Sequence, residues 1–285
     1  DVCIGSSLVD MYAKCGALEA AQTIFDRLSI RDVISWSAMI LANAEHGFGK
    51  EALELYNLML QSGIEPDKIT FICIFKACAH LDCSNLSKLI HLDVVSHGFD
   101  SNFMIGSTLI DSYFKHGNIQ DACRVFQGFQ APNVSIWNAM LTGYAENDLP
   151  EEVLFLFEQM QGDGISPNAV SFICTLKVCG NFGYIEVGKE MHAVIVTNGL
   201  ETDVPLCNAL INMYIKCGSL PEALMVFDKM TLQNVISWNT LISGLVDCGY
   251  GNEALGLFQQ MQLDGVFPDA ATLQYTRISR DWPRY

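Results

Sequence analysis

The segment VISWSAMI at residues 33–40 returns as VSIWNAML at residues 134–141 and as VISWNTLI at residues 235–242. The step between successive copies is 101 residues. The same step relates other residue types, in the sets Trp36, Trp137 and Trp238; Tyr12, Tyr113 and Tyr214; Gly16, Gly117 and Gly218; Phe25, Phe126 and Phe227. Self-similarity at a fixed period indicates a repeat architecture.

Each unit of 101 residues divides into three related segments of 31, 35 and 35 residues. We place eight complete repeats at residues 2–32, 33–67, 68–102, 103–133, 134–168, 169–203, 204–234 and 235–269. Residues 270–285 begin a ninth, long repeat and then depart from it, because Arg277 and Arg280 stand where the matching repeat has Leu176 and Cys179. We expect this partial repeat to be a frayed tail with no function of its own.

Two amphipathic helices are predicted in each repeat, as residues 33–67 illustrate. Apolar side chains recur at helical spacing, at Trp36, Met39, Ile40, Ala52, Leu55, Tyr56 and Met59. Gly47 separates the two helices, and Gly63 with Pro66 ends the second. We expect Gly63, Gly164 and Gly265 to have positive φ, and the three tryptophans to be buried at equivalent sites. One hairpin cannot bury both apolar faces, so neighbours must stack, which predicts an all-α protein of the α-solenoid type.

Composition excludes several other classes of protein. The 285 residues include 16 Lys and Arg against 32 Asp and Glu, and a formal net charge of −16 argues against a polybasic nucleic-acid or membrane-surface protein. No apolar run reaches the roughly 18 residues of a membrane span. Eleven cysteines contain no Cys-x-x-Cys pair, which favours a reducing compartment over a disulfide scaffold. Because the chain begins with Asp1, we expect the natural protein to extend before it.

Four segments carry a family resemblance: VDMYAKCGALEAAQTIFDRL (9–28), VISWSAMI (33–40), FEQMQGDGISPN (157–168) and NVISWNTLISG (234–244). They resemble the plant pentatricopeptide repeat (PPR) family, and the 31, 35, 35 alternation resembles its subclass with short, standard and long repeats in triplets. The resemblance implies a right-handed superhelix of helix-turn-helix repeats that binds single-stranded RNA sequence-specifically. It also implies a mitochondrial or chloroplast specificity factor for RNA editing, other modification or processing, working with editing or processing proteins supplied as separate chains.

In this family the fifth and last residues of a repeat select the base, and we term them the specificity positions. In the short and standard repeats they are Ser6 with Asp32, Ser37 with Asp67, Ser107 with Asn133, Asn138 with Asn168, Asn208 with Asn234, and Asn239 with Asp269. Such short polar side chains can hydrogen-bond a base edge. Helix capping is an alternative for the last residues, whereas the fifth lies inside a helix. The family's pairing preferences imply the target 5′-GGNAYNYU-3′, where Y is a pyrimidine and N is the nucleotide of a long repeat.

The remaining positions of the repeat give weaker signals. The long repeats have isoleucine, Ile72 and Ile173, at the fifth position, and we expect them to act as spacers. The second residue, which stacks on bases in the family, is mostly apolar, and both stacking and core packing remain open for Ile34, Met104, Val170 and Ile236. Phosphate contacts should be weak, because the family's lysine position holds Lys14, Lys115 and Lys216 only in the short repeats and Glu45, Glu146 and Asp247 in the standard ones.

Neither catalysis nor a bound metal or cofactor is predicted. An RNA-editing deaminase site needs His-x-Glu and Pro-Cys-x-x-Cys, and neither motif occurs, so we expect no editing domain in this chain. Cys73 with Cys78 and Cys174 with Cys179 recur one period apart, which indicates core positions. No carboxylate partner is implied for the scattered histidines, among them His80 and His192. The alternative function is a protein-binding helical scaffold of the tetratricopeptide type, which the acidity favours.

Overall fold

A computed structural model describes residues 2–78, 81 and 84–281 of the chain. These residues form seventeen α-helices and no β-strand, so the all-α class is confirmed for them. The helices are α1 Val2–Lys14, α2 Leu18–Arg27, α3 Val33–Glu45, α4 Gly49–Gln61, α5 Lys68–Cys78, α6 Ser84–Ser96, α7 Phe103–Lys115, α8 Ile119–Gly128, α9 Val134–Glu146, α10 Pro150–Gly162, α11 Ala169–Phe182, α12 Ile185–Thr197, α13 Val204–Lys216, α14 Leu220–Lys229, α15 Val235–Asp247, α16 Gly251–Leu263 and α17 Ala270–Asp281. None of them is long and apolar enough to cross a bilayer. His80, Arg284 and the side chain of Arg280 lie outside the described residues.

The helices belong to two compact units, residues 1–143 and 144–285, with the division inside α9. In the first unit α1, α3, α5 and α7 form a row in which each helix packs on the next. Helices α2, α4 and α6 each contact two successive members of this row. In the second unit α11, α13, α15 and α17 form an equivalent row, flanked by α10, α12, α14 and α16. Nearest-neighbour stacking of helical hairpins is the architecture of an α-solenoid, and that fold is confirmed.

The repeated tryptophans occupy equivalent core sites. Trp36, Trp137 and Trp238 are at most 3% exposed, as predicted. Each makes an edge-to-face contact with the phenylalanine of the preceding helix, with ring centroids 4.8, 4.9 and 4.7 Å apart for Phe25, Phe126 and Phe227 respectively. The same aromatic pair therefore joins a short repeat to the standard repeat after it in all three copies.

The turns that end the second helices of the standard repeats are also equivalent. Gly63, Gly164 and Gly265 have φ of 73°, 76° and 76°, which confirms the predicted left-handed conformation. In the second of these turns the N–H of Ile165 donates to the carbonyl of Met160 at 3.0 Å. This bond over five residues is typical of a Schellman motif, which favours glycine at its left-handed position because glycine has no Cβ.

A histidine–tyrosine pair links each long repeat to the short repeat that follows it. The Nδ1 atom of His91 on α6 is 2.9 Å from the hydroxyl of Tyr113 on α7, and His192 on α12 is 2.8 Å from the hydroxyl of Tyr214 on α13. Burial lowers the pKa of both histidines. The neutral imidazole is therefore the form that the folded repeat stabilises.

Candidate functional site

The specificity positions lie at two kinds of place in the fold. The fifth residues are inside the first helices of their repeats, and the last residues immediately precede the first helix of the next repeat. All six last residues accept a backbone N–H of that next helix, from Ser35 to Asp32 (2.9 Å), Thr70 to Asp67 (2.9 Å), Ile136 to Asn133 (3.1 Å), Val170 to Asn168 (3.1 Å), Ser237 to Asn234 (3.0 Å) and Thr272 to Asp269 (2.9 Å). The capping function considered as an alternative is thus present at every one of them.

Capping does not account for the contacts between specificity positions. Ser6 Oγ donates to Asp32 Oδ1 at 2.8 Å, although the two residues are 26 positions apart. At the other end of the chain Asn239 Nδ2 donates to Asp269 Oδ1 at 3.0 Å. The structure therefore brings the predicted pairs together in the first and the eighth repeat, each pair spanning two neighbouring first helices.

In the second repeat the contact is indirect. Ser37 Oγ is 2.7 Å from Thr70 Oγ1, and this threonine hydroxyl also donates to Asp67 Oδ1 at 2.9 Å. Thr272 plays a similar part in the eighth repeat, since its hydroxyl lies 2.6 Å from Asn239 Oδ1 and 2.9 Å from Asp269 Oδ1. The third residue of the next repeat thus belongs to the site, a position that our sequence analysis did not single out.

Among the described residues, no hydrogen bond joins Ser107 to Asn133 or Asn208 to Asn234. Ser107 donates to the carbonyl of Met104 at 3.0 Å, within its own helix. Asn138 and Asn168 belong to different units and are described separately. Asn208 Oδ1 is buried without a hydrogen-bond partner, while Asn234 Oδ1 accepts from the N–H and the hydroxyl of Ser237. An unpaired buried carbonyl oxygen is costly, so this position lowers the stability of the fold.

Two specificity carboxylates are held in the charged form. Burial raises the pKa of Asp32, but hydrogen bonds from Ser35 and Ser6 outweigh it and leave that pKa below its usual value. The backbone N–H of Thr272 and the amide of Asn239 lower the pKa of Asp269. Both carboxylates therefore accept hydrogen bonds and donate none at neutral pH, which suits them to an N–H group on a ligand.

In five of the eight repeats the second residue is apolar and exposed on the first helix. Ile34 and Ile236 are 60% exposed, Met104 is 59% exposed and Val170 is 46% exposed. Ile69, which holds the same position in the first long repeat, is 50% exposed. Core packing, which the sequence left open, is therefore wrong for these side chains. Each of these side chains offers apolar surface on the helix that carries the fifth residue of its repeat.

Ion pairs neutralise most of the predicted phosphate contacts. Lys14 Nζ is 2.7 Å from Asp10 Oδ2, and Lys115 Nζ is 2.8 Å from Asp111 Oδ2, one helical turn earlier in each case. Lys216 instead donates to Asn181 Oδ1 at 2.7 Å. Two of the three lysines thus offer a phosphate little net charge.

The buried cysteines have the properties of core residues. Burial raises the pKa of Cys73 and of Cys179 to about 12, so both thiols stay protonated and are poor metal ligands or nucleophiles. In the part of the chain that the structure describes, no group of three or more His, Cys, Asp or Glu side chains is placed to hold a metal ion.

Two sequence-family models match the chain at the repeats described above. The one described as the PPR repeat family matches residues 31–80, 132–181 and 233–275, about half of the chain, and the one described as the PPR repeat matches residues 6–33, 107–130 and 206–235. The chain belongs to the PPR repeat family. The boundary between the two models falls near Asp32, Asn133 and Asn234, the caps at which short repeats meet standard ones.

Curated relatives of this PPR chain come from Arabidopsis thaliana. It is 35% identical over 238 residues to the pentatricopeptide repeat-containing protein At4g18520, chloroplastic, and 35% identical over 259 residues to the pentatricopeptide repeat-containing protein At3g02330, mitochondrial. Each match covers 84% of the chain, but only 39% and 29% of the respective relative. The chain therefore spans about a third of the length of these relatives.

Solved structures with the same fold include the PPR protein PPR10. A crystal structure of PPR10 in complex with an 18-nt psaJ RNA element matches 98% of the PPR chain with a TM-score of 0.74 and 19% identity, and the match covers 42% of PPR10. A crystal structure of PPR10 from maize matches 99% of the chain with a TM-score of 0.71. At this identity the likeness concerns the fold.

Proposed function

We propose that this PPR chain binds single-stranded RNA sequence-specifically, through the eight repeats between residues 2 and 269. The observation that carries the proposal is the pairing of specificity residues across neighbouring first helices, as in Ser6 with Asp32 and Asn239 with Asp269. A carboxylate that accepts hydrogen bonds beside a short donor can distinguish the edges of bases. The exposed second residues, among them Ile34 and Ile236, supply apolar surface against which bases can stack.

We further propose that the chain is the specificity part of an organellar RNA editing, modification or processing factor of the short, standard and long triplet subclass. The chloroplastic and mitochondrial names of its relatives support a location in one of these organelles. Editing or processing enzymes would then be separate partners, and this chain would perform no catalysis itself. The alternative, a protein-binding scaffold, is favoured by the net charge of −16 and by the neutralised Lys14 and Lys115.

The test is a titration of the whole chain against a labelled oligonucleotide of the form 5′-GGNAYNYU-3′. A permuted oligonucleotide of the same composition is the matched control, since it preserves length and charge. We expect the designed sequence to bind at least roughly tenfold more tightly, because each mismatched base typically weakens binding by about 1–3 kcal/mol. Equal affinity for both, or binding to neither, would contradict the proposal and favour the scaffold alternative.

A further inference from the structure

A groove in the second unit crosses three successive first helices, α11, α13 and α15. Its volume is about 410 Å³, and it is lined by Ile173, Lys177, Asn208, Ala209, Asn212, Thr240 and Ser243. This volume lies within the roughly 300–1,000 Å³ that small-ligand sites occupy. None of these lining residues is acidic, in contrast to the chain as a whole. Carboxylates of the lining therefore do not repel an anion in this groove.

The one cation in this lining belongs to a long repeat. Lys177 lies one turn after Ile173, the isoleucine at the fifth position, and its side chain is exposed. It makes no ion pair with any residue that the structure describes. The equivalent lysine of the first long repeat, Lys76, lies 3.8 Å from Glu45 Oε1. Both long repeats have this lysine 31 residues after a glutamate, Glu45 or Glu146, but only in the first does the pair lie within ion-pair distance.

A substitution on the neighbouring helix extends this difference. Asp10 and Asp111, which neutralise lysines in the first two short repeats, correspond to Asn212 in the third. Asn212 lines the groove and carries no charge. The position that supplies a negative charge elsewhere therefore supplies a neutral amide beside Lys177. Asn208 also lines the groove, and its buried Oδ1 has no hydrogen-bond partner in the described part of the chain.

We propose that the long repeat at residues 169–203 binds the RNA backbone through Lys177, which contacts a phosphate next to the sixth nucleotide. This inference rests on the proposed function. Ile173 cannot hydrogen-bond a base edge, whereas an ammonium group needs no base identity to bind a phosphate. The groove then holds the sixth nucleotide by its backbone. This long repeat thus contributes an electrostatic contact to the array.

The test measures how binding of the designed oligonucleotide depends on salt, from about 50 to about 200 mM, in the wild-type chain, Lys177→Gln and Lys76→Gln. Loss of one single-strand phosphate contact should reduce the slope of log K against log salt by about 0.7. We expect this reduction in Lys177→Gln, with the base preferences at the other positions unchanged, and no reduction in Lys76→Gln. A neutral methylphosphonate beside nucleotide six should weaken wild-type binding and have no further effect on Lys177→Gln.

Three outcomes would overturn the proposal, and they differ in what they say about RNA binding. If Lys177→Gln keeps the wild-type slope while the designed sequence is still preferred, the phosphate contact is absent and the proposed function stands. If Lys76→Gln lowers the slope equally, the effect comes from total charge and the groove is not the site. If the wild-type chain shows no base preference at all, the proposed function fails and this inference fails with it.

Discussion

The hydroxyl of Ser6 donates to Asp32 Oδ1 at 2.8 Å, and the same oxygen accepts the backbone N–H of Ser35 at 2.9 Å. One carboxylate oxygen thus connects the first helix of one repeat to the N-terminus of the first helix of the next. The last residue of a repeat has two separable functions as a result. It caps a helix, and it stands beside the residue that we propose to select a base.

Alanine at two equivalent caps should separate these functions. Asn133 ends a short repeat, and Asn102 ends a long repeat whose fifth residue is Ile72; both accept backbone N–H groups at 3.1 Å. Asn133→Ala and Asn102→Ala should each lower the free energy of unfolding by about 1 kcal/mol through loss of the cap. Only Asn133→Ala should lose discrimination at the fourth nucleotide in a competition assay. Discrimination retained by both variants would restrict Asn133 to capping.

Exchanging the last specificity pair should change the preferred base. Asn239 with Asp269 implies U at the eighth nucleotide, whereas a serine with an asparagine, as in Ser107 with Asn133, implies A. The double variant Asn239→Ser, Asp269→Asn should therefore move the preference from U to A by roughly five- to thirtyfold, the scale of a well-placed pair of hydrogen bonds. Competition between the two oligonucleotides measures it. Equal loss of affinity for both would mean that these residues hold the fold only.

The exposed second position should affect binding without affecting stability. Because Ile236 is 60% exposed, Ile236→Ala should change the free energy of unfolding by less than about 0.5 kcal/mol. If bases stack on it, affinity for RNA should fall by about 1 kcal/mol whatever the base. Leu232→Ala is the matched control, since Leu232 is 62% exposed but lies between α14 and α15. Unchanged affinity in Ile236→Ala would exclude stacking there.

Alanine substitutions at two glycines near the end of α10 should have opposite effects on the stability of the fold. Gly164 has a φ of 76°, so Gly164→Ala should destabilise the fold by about 1 kcal/mol. Gly162 is the last residue of the helix and has open space around the position of a Cβ, so Gly162→Ala should be neutral or stabilising by up to about 1 kcal/mol. Chemical denaturation of both variants provides the comparison. A stabilised Gly164→Ala would contradict the turn assignment.

Acidification should weaken the histidine–tyrosine contacts that link long repeats to the short repeats after them. Burial lowers the pKa of His91 and His192 in the folded state, so the unfolded chain binds more protons once the pH falls below about 6.5. Stability from the neutral imidazoles is present above that pH and is lost as the pH falls towards the folded pKa values. Thermal melts from about pH 7 to about pH 5 should show a smaller decrease in His91→Leu, His192→Leu than in the wild type. Equal decreases in melting temperature in the wild type and the variant would show that these histidines do not cause the loss of stability at low pH.

Much of the fold was predictable because the signals are local and repeated. Glycine at 63, 164 and 265 permits a left-handed turn that other residues rarely adopt, and a tryptophan at the same place in three helical stripes is buried at the same place. The exposure of Ile34 was not predictable, since an apolar residue at the start of a helix fits either face of the stack. It depends on how neighbouring first helices approach one another, which the pattern within one repeat does not specify.

The electrostatics of the site were harder to predict than its residues. Lys14 lies at the family's phosphate position, but the carboxylate of Asp10, 2.7 Å away, offsets its charge. The absence of that carboxylate beside Lys216 follows from a single residue, Asn212, which stands where the other short repeats have Asp10 and Asp111. The same holds for Thr70 and Thr272, which belong to the next repeat in sequence but hydrogen-bond the specificity carboxylate of the repeat before.

Sharing one side chain between a helix cap and a specificity position limits how such an array can evolve. Any residue that replaces Asp32 or Asn234 must still accept a backbone N–H at the start of α3 or α15. Asp, Asn, Ser and Thr do this well, and longer or purely donating side chains such as Gln, Arg and Lys do not. The requirement for a helix cap therefore limits which amino acids can stand at this position, independently of RNA binding. A mutation to a residue outside this set removes the cap and destabilises the packing of one repeat on the next. New specificities should therefore arise chiefly by exchange among Asp, Asn, Ser and Thr.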